Sequence, residues 1–200
     1  MDETDINLVK RTRNGDRDAF RILVERYQRR VFGLCVGMVR NPDDAMDLVQ
    51  ETFVKVFKNL DSFEGQSSFY TWTYRIATNV CIDFLRKNNR YRTVDYDDAI
   101  EHDDDIEDLG AVLPSKLGVN PASVYARKEL LEQIEAALQQ LSPAHRQAIL
   151  LREVEGLSYQ EMADVMQISI GTVMSRLFHA RKNMQRYLAD YVGIRPSDDR

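Results

Sequence analysis

Two hundred residues, 44% of them hydrophobic, suffice to bury a core as one large or two small domains. No apolar run approaches the ~20 residues of a membrane span, Met1-Asp2-Glu3 does not open a signal peptide, and Cys35 and Cys81 lie far apart without metal-ligand spacing. These features argue against a spanning protein, a disulfide scaffold and a structural metal site; they point to a cytoplasmic chain with reduced core thiols and no cofactor.

The net charge of −5 is unevenly spread. Residues 1–92 carry 16 basic and 13 acidic side chains, and residues 126–200 carry ten of each. Between them, residues 93–125 set Lys116 against nine acids. The low pI of 5.3 therefore belongs to one segment, and the flanking parts are neutral to basic.

In chain order, the first strong pattern is Ala19, Phe20, Leu23, Val24, Tyr27, Val31 and Leu34, whose three- and four-residue spacing predicts an amphipathic helix. Asn41-Pro42 is a cap followed by proline at the first helical position. The helix it opens has an inward stripe through Ala45, Leu48, Val49, Thr52, Phe53, Val56, Phe57 and Leu60. Asp61 to Ser67 has turn chemistry, and a third helix follows through Phe69, Trp72, Ile76, Ala77, Val80, Phe84 and Leu85. Asn88-Asn89 ends it. Periodicity then stops through an acidic run, Asp95 to Asp108, which reads as a disordered spacer because dense like charge resists burial. Helical pattern resumes at Val124, Leu130, Leu131, Ile134 and Leu138, and Ser142-Pro143 opens another helix. No strand-like alternation occurs, so the fold is expected to be all-α.

The most informative stretch is Leu157 to Met184. Ser158 and Glu161 form a capping-box pattern, and Met162, Ala163 and Met166 follow at helical spacing. Gln167-Ile168-Ser169 breaks the pattern, and Ser169 can cap a second helix. On that helix Val173 and Leu177 face inward, leaving Thr172, Ser175, Arg176, His179 and Lys182 outward. No acidic residue lies between Asp164 and Asp190, whereas Arg176, Arg181, Lys182 and Arg186 are basic. A helix of that sign suits the major groove of DNA. Ser175, Phe178 and His179 would face its floor, and Arg176, Arg181 and Lys182 would lean toward phosphates. A plain helical hairpin with a solvated basic face has the same pattern.

Two further strings, Asp47-Leu48-Val49-Gln50-Glu51-Thr52-Phe53 and Phe69-Tyr70-Thr71-Trp72-Thr73-Tyr74-Arg75-Ile76-Ala77-Thr78-Asn79, accompany that segment. Together the three resemble the extracytoplasmic-function group of bacterial sigma factors, over most of the chain and in the family's order. The resemblance implies two small helical domains, a promoter-melting bundle at residues 1–92 and a four-helix helix-turn-helix domain at 123–190. A flexible acidic linker, 93–122, would join them, and 191–200 would form a tail. It implies core RNA polymerase and promoter DNA as partners, a cognate anti-sigma factor, no active site and no membrane insertion.

Carried over by motif, Asp47, Gln50, Glu51 and Lys55 would dock the polymerase. Positions 47, 50, 51 and 54 do share one helix face, although a solvated charged face would look alike. The −10 element would fall to Phe63, Arg75, Asn79, Arg86 and Lys87, with Phe63 and Asn79 at a pocket for an unstacked base. Asn79 read alone is a helix-surface amide, and Trp72 reads as core. The −35 element would fall to Tyr159, Thr172, Met174, Ser175, Arg176, Phe178, His179, Arg181 and Lys182. Two departures stand out. Gln167 occupies a turn position where relatives often have glycine, and Met174 and His179 replace arginines, so the −35 preference cannot be copied from those relatives. The acidic linker would thread the polymerase cleft as a mimic of nucleic acid, though a plain spacer fits equally. Asp103-Asp104-Asp105 lacks the alternation and glycine of a calcium loop.

Two other function classes remain to be separated. A helix-turn-helix regulator acting without polymerase would need a sensor or dimerisation module, which residues 1–92 do not show. An enzyme would need clustered carboxylates or histidines on ordered elements, and His102, His145 and His179 lie in separate segments.

Overall fold

The structure, a computed structural model, describes residues 3–88 and 121–192. Helices α1 (Asp5–Arg13), α2 (Arg17–Val39), α3 (Pro42–Lys58) and α4 (Phe69–Lys87) form the first module, with a 3-10 turn at Leu60–Ser62. Helices α5 (Pro121–Gln140), α6 (Pro143–Ile149), α7 (Tyr159–Met166) and α8 (Ile170–Val192) form the second, with a π-helical turn at Leu150–Val154 running on from α6. There is no strand among the described residues. The acidic run expected to be disordered lies outside them.

The helix boundaries follow local chemistry. Asn41 accepts hydrogen bonds from the backbone N–H groups of Asp43 and Asp44 beside proline at the first helical position, and Ser68 and Ser142 cap α4 and α6 likewise. Each such cap is worth ~1 kcal/mol. Helix α1 precedes the first periodic stripe; its buried face is only Leu8, Val9 and Thr12, too short for periodicity to mark its bounds. Phe57, expected in the inward stripe of α3, is instead 48% exposed and packs edge-on against Phe20 at 4.9 Å.

One apolar cluster, including Leu8, Leu23, Val56, Phe63, Phe69 and Trp72, fills the end of the first module nearest α1. A second runs without interruption from Leu34, Cys35, Met38 and Tyr74 into Leu141, Leu151, Met162 and Leu177. The two modules thus share a core. Cys35 and Cys81 are free, buried thiols with Sγ atoms 3.6 Å apart.

Beside the packing of α4 against α7, three contacts mark the seam between the modules. Gly37 lets α2 approach Leu150 so closely that a Cβ there would sit 2.8 Å from Leu150 Cδ2. The fully buried guanidinium of Arg146 donates to Met38 O at 2.6 Å, and also to the carbonyls of Leu138, Gln139 and Leu141. Tyr70 donates its hydroxyl to Glu155 at 2.8 Å, and burial pushes that hydroxyl above the usual phenol range, so it remains a donor. The Tyr70 ring lies 4.3 Å from that of Tyr74, with the Arg30 guanidinium over its outer face.

Candidate nucleic-acid interface

The turn between α7 and α8 sets the geometry of the helix-turn-helix. Ser158 accepts from the backbone N–H of Glu161, whose carboxylate accepts from the Ser158 N–H and hydroxyl. Those bonds hold the Glu161 carboxyl below its ordinary range. Gln167 ends α7 in the left-handed region, with φ 56°. A glutamine there meets the steric cost of its Cβ that glycine avoids. Its side-chain amide donates to Asp164 O at 2.6 Å, which compensates part of that cost. Ser169 then caps α8 by accepting from the Thr172 N–H at 3.1 Å. Met162, Ala163, Val165, Val173 and Leu177 are buried where the two helices cross.

On α8, Phe178, His179 and Lys182 are exposed, and Thr172, Met174, Ser175 and Arg176 are half-buried. The Thr172 hydroxyl is engaged with Ser169 at 2.9 Å. The His179 ring lies 5.4 Å from Phe178 and 6.4 Å from His145 of α6. Tyr159 is half-buried, its ring covered by the Arg152 guanidinium at 5.0 Å. Arg181, expected among the phosphate anchors, has an acidic partner within the chain. Its Nε and one terminal nitrogen both donate to Glu153 Oε1, at 3.1 and 2.7 Å, tying α8 to the π-helical turn. Sequence reading missed this because Glu153 is 28 positions away on another element.

In the first module a cleft opens between α4 and the loop before it. It is lined by Ser62 to Ser67, Trp72 and Arg75. Phe63 is nearly buried, its ring 5.7 Å from Phe69 and 5.3 Å from Trp72, so it both anchors the loop and contributes to the wall. Trp72 is 5% exposed and is a core residue, as its spacing indicated, while its edge also lines the cleft. Asn79 is exposed one turn beyond Arg75 and outside the cleft lining. Arg86 and Lys87 are exposed in the last turn of α4. Glu64 and Gln66 also line the cleft, although in the sequence they carry only turn chemistry.

A third surface is the outer side of α3. Asp47, Gln50, Glu51 and Val54 are all exposed there, with Met46 and Phe57 beside them. Lys55 pairs with Glu51 at 2.9 Å one turn away. Acidic groups interleaved with exposed Met46 and Val54, each about half exposed, make a mixed surface of the kind proteins use to bind one another. Among the described residues no group of three or more His, Cys, Asp or Glu is placed to hold a metal, and no helix is long and apolar enough to cross a membrane.

Both modules match known protein families. Residues 23–91 match the Sigma-70 region 2 family, and residues 131–184 match Sigma-70 region 4. The RNA polymerase sigma-H factor of Pseudomonas aeruginosa is 39% identical over 93% of this chain and 94% of its own length. The ECF RNA polymerase sigma-E factor of Escherichia coli K12 is 42% identical over 90% of this chain and 91% of its own. Among solved structures, the sigma factor RpoE in complex with the anti-sigma factor NepR from Bartonella quintana aligns with TM-score 0.60 and 29% identity, covering 84% of this chain and 96% of that one. CnrH in complex with the cytosolic domain of CnrY shares the fold, with TM-score 0.67 and 24% identity over 94% of this chain and 99% of that one.

Proposed function

Because this chain belongs to the extracytoplasmic-function group of RNA polymerase sigma factors, we propose a division of its work among the three surfaces. As a sigma factor it binds core polymerase and directs it to promoters, recognising −10 and −35 elements. In our reading, Asp47, Gln50, Glu51 and Lys55 of α3 dock the polymerase. The cleft of residues 62–67, Trp72 and Arg75 receives an unstacked −10 base, with Phe63 as its anchor. Asn79, Arg86 and Lys87 follow the single strand along α4. Phe178 and His179, with Thr172, Met174, Ser175 and Tyr159 around them, read the −35 element.

The observation that carries this reading is the separation of the surfaces. Each lies on a different helix with its polar side chains exposed, and each is backed by the buried core. A regulator using only the helix-turn-helix would leave the α3 surface and the α4 cleft without a use. We place the chain in the cytoplasm, without an active site of its own. We also assign it an anti-sigma partner, because a relative of the same fold is held by one. The amino-terminal range 1–92 and carboxy-terminal range 123–190 are proposed as the two functional modules, joined through 93–122 and followed by the tail 191–200.

Asn79→Ala tests the −10 assignment. The amide offers a donor and an acceptor to a base edge, so its loss should cost ~1–3 kcal/mol at one −10 position and leave −35 preference intact. The measurement is promoter opening across −10 variants with purified holoenzyme. An equal effect at every −10 base would make Asn79 a scaffold residue.

A further inference from the structure

Helix α1 belongs to no surface described so far, yet one of its side chains reaches the −10 loop. The Arg13 guanidinium donates to Leu60 O at 2.6 Å through one terminal nitrogen and at 3.2 Å through Nε. The same terminal nitrogen donates to Asp61 O at 3.2 Å and Phe63 O at 2.5 Å. The Asp61 carboxylate stands 3.8 Å from Nε. Three main-chain carbonyls, in a stretch of four residues, are therefore turned toward one cation. Converging carbonyl dipoles repel, and a cation at their focus is what makes the arrangement favourable.

The turn so gathered leads directly into the cleft. Ser62 and Phe63 are its first lining residues, and the loop reaches Gly65 in a left-handed conformation, with φ 77°, before Ser68 caps α4. The start of the loop has few other anchors: Ser62 bonds Asn59 O, the Phe63 N–H bonds Leu60 O and the Phe63 ring is packed, while beyond it Gln66 bonds Glu64 and Ser67 bonds Ser68 O. Arg13 is thus the one bond donor from a separate helix, among the described contacts, that sets where the loop begins. Leu8 and Val9 fix α1 itself in the same core cluster as Leu60 and Phe63. A binding site is only as precise as the shell that supports it.

We infer that Arg13 is a positioning residue for −10 recognition, holding the loop of residues 60–63 so that the adjoining cleft fits one unstacked base. The assignment rests on the reading of that cleft as the −10 pocket. A lysine at position 13 keeps the charge but loses the Nε bond to Leu60 O and ends one atom short of the terminal nitrogen that touches all three carbonyls, so it should serve only in part.

The test uses the full-length chain with core polymerase on promoter templates carrying a randomised −10 element, transcribed and sequenced. Wild type, Arg13→Ala, Arg13→Lys and Gln66→Ala are compared, with thermal stability and core affinity measured in parallel. Arg13→Ala should reduce discrimination at one −10 position by roughly tenfold, with Arg13→Lys intermediate and core affinity unchanged. The inference is overturned if Arg13→Ala keeps the wild-type preference while Gln66→Ala changes it. It is equally overturned if Arg13→Ala lowers all templates alike in step with lost thermal stability, which would make it a structural residue. If both Gln66→Ala and Arg13→Ala leave the preference untouched, the cleft is not the −10 pocket and the inference falls with it.

Discussion

Arg146 donates to the carbonyl of Met38, 108 residues earlier in the chain, at 2.6 Å. A buried cation thereby closes the carboxy-terminal end of α2 while also satisfying the carbonyls of Leu138, Gln139 and Leu141 in its own module. Arg146→Leu should cost about 3 kcal/mol or more, since it leaves several carbonyls without donors in the core. Chemical denaturation of the full chain measures this. A loss below ~1 kcal/mol would mean that water replaces the guanidinium.

The seam also bears on promoter binding. Elements at −10 and −35 are ~25 base pairs apart, or ~85 Å along the duplex. The 23 residues of α8, the length of the longest helices here, span ~35 Å, so modules sharing one core are expected to part when both elements are engaged. Gly37→Leu inserts a side chain where Leu150 already stands. It should weaken the seam without disrupting α2, because leucine is the better helix former by roughly 1 kcal/mol. Small-angle scattering of the free chain should then give a larger radius of gyration than wild type. Identical values would show that α2 and Leu150 do not hold the modules together.

The α3 assignment is tested by reversing charge at Asp47 and Glu51 together. Both side chains are exposed and neither supports the core, so stability should change by less than ~0.5 kcal/mol per site. Losing the Glu51–Lys55 pair adds only a few tenths. Affinity for core polymerase should fall at least tenfold. A folded double variant with wild-type affinity would remove α3 from the docking surface.

On α8 the structure divides the basic residues. Lys182 is exposed, and Lys182→Ala should make the salt dependence of DNA binding shallower by about 1 in slope. Arg181→Ala should instead act through stability, because it releases α8 from Glu153. His179→Ala should change which −35 sequence is preferred. Affinity across a −35 library at two salt concentrations separates these outcomes. A salt-slope change from Arg181→Ala, without loss of stability, would return it to the phosphate anchors.

Local chemistry carried the helix starts. Asn41-Pro42, Ser142-Pro143 and the Ser158–Glu161 box each act within a few residues, so their geometry was readable from spacing. Gln167 was likewise marked by its place in the turn, and it does adopt a positive φ. What could not be read depends on distant partners. Arg146 looks like a surface charge until four carbonyls surround it, Arg13 until the 60–63 turn folds back over α1, and Arg181 until Glu153 arrives from a preceding turn. A basic residue without a nearby acidic partner in sequence reads as solvent- or phosphate-facing. The cleft before α4 was legible only as turn residues beside an aromatic helix, because its walls come from both.

The central claim is tested most directly by multi-round transcription with purified core polymerase, with and without the chain, on a library of promoter fragments. Addition of the chain is expected to produce defined start sites sharing one −10 and one −35 sequence, with no product from core alone at those sites. Promoter-fragment binding by the chain with no start sites in the presence of core would contradict a sigma factor and favour a regulator that acts without it.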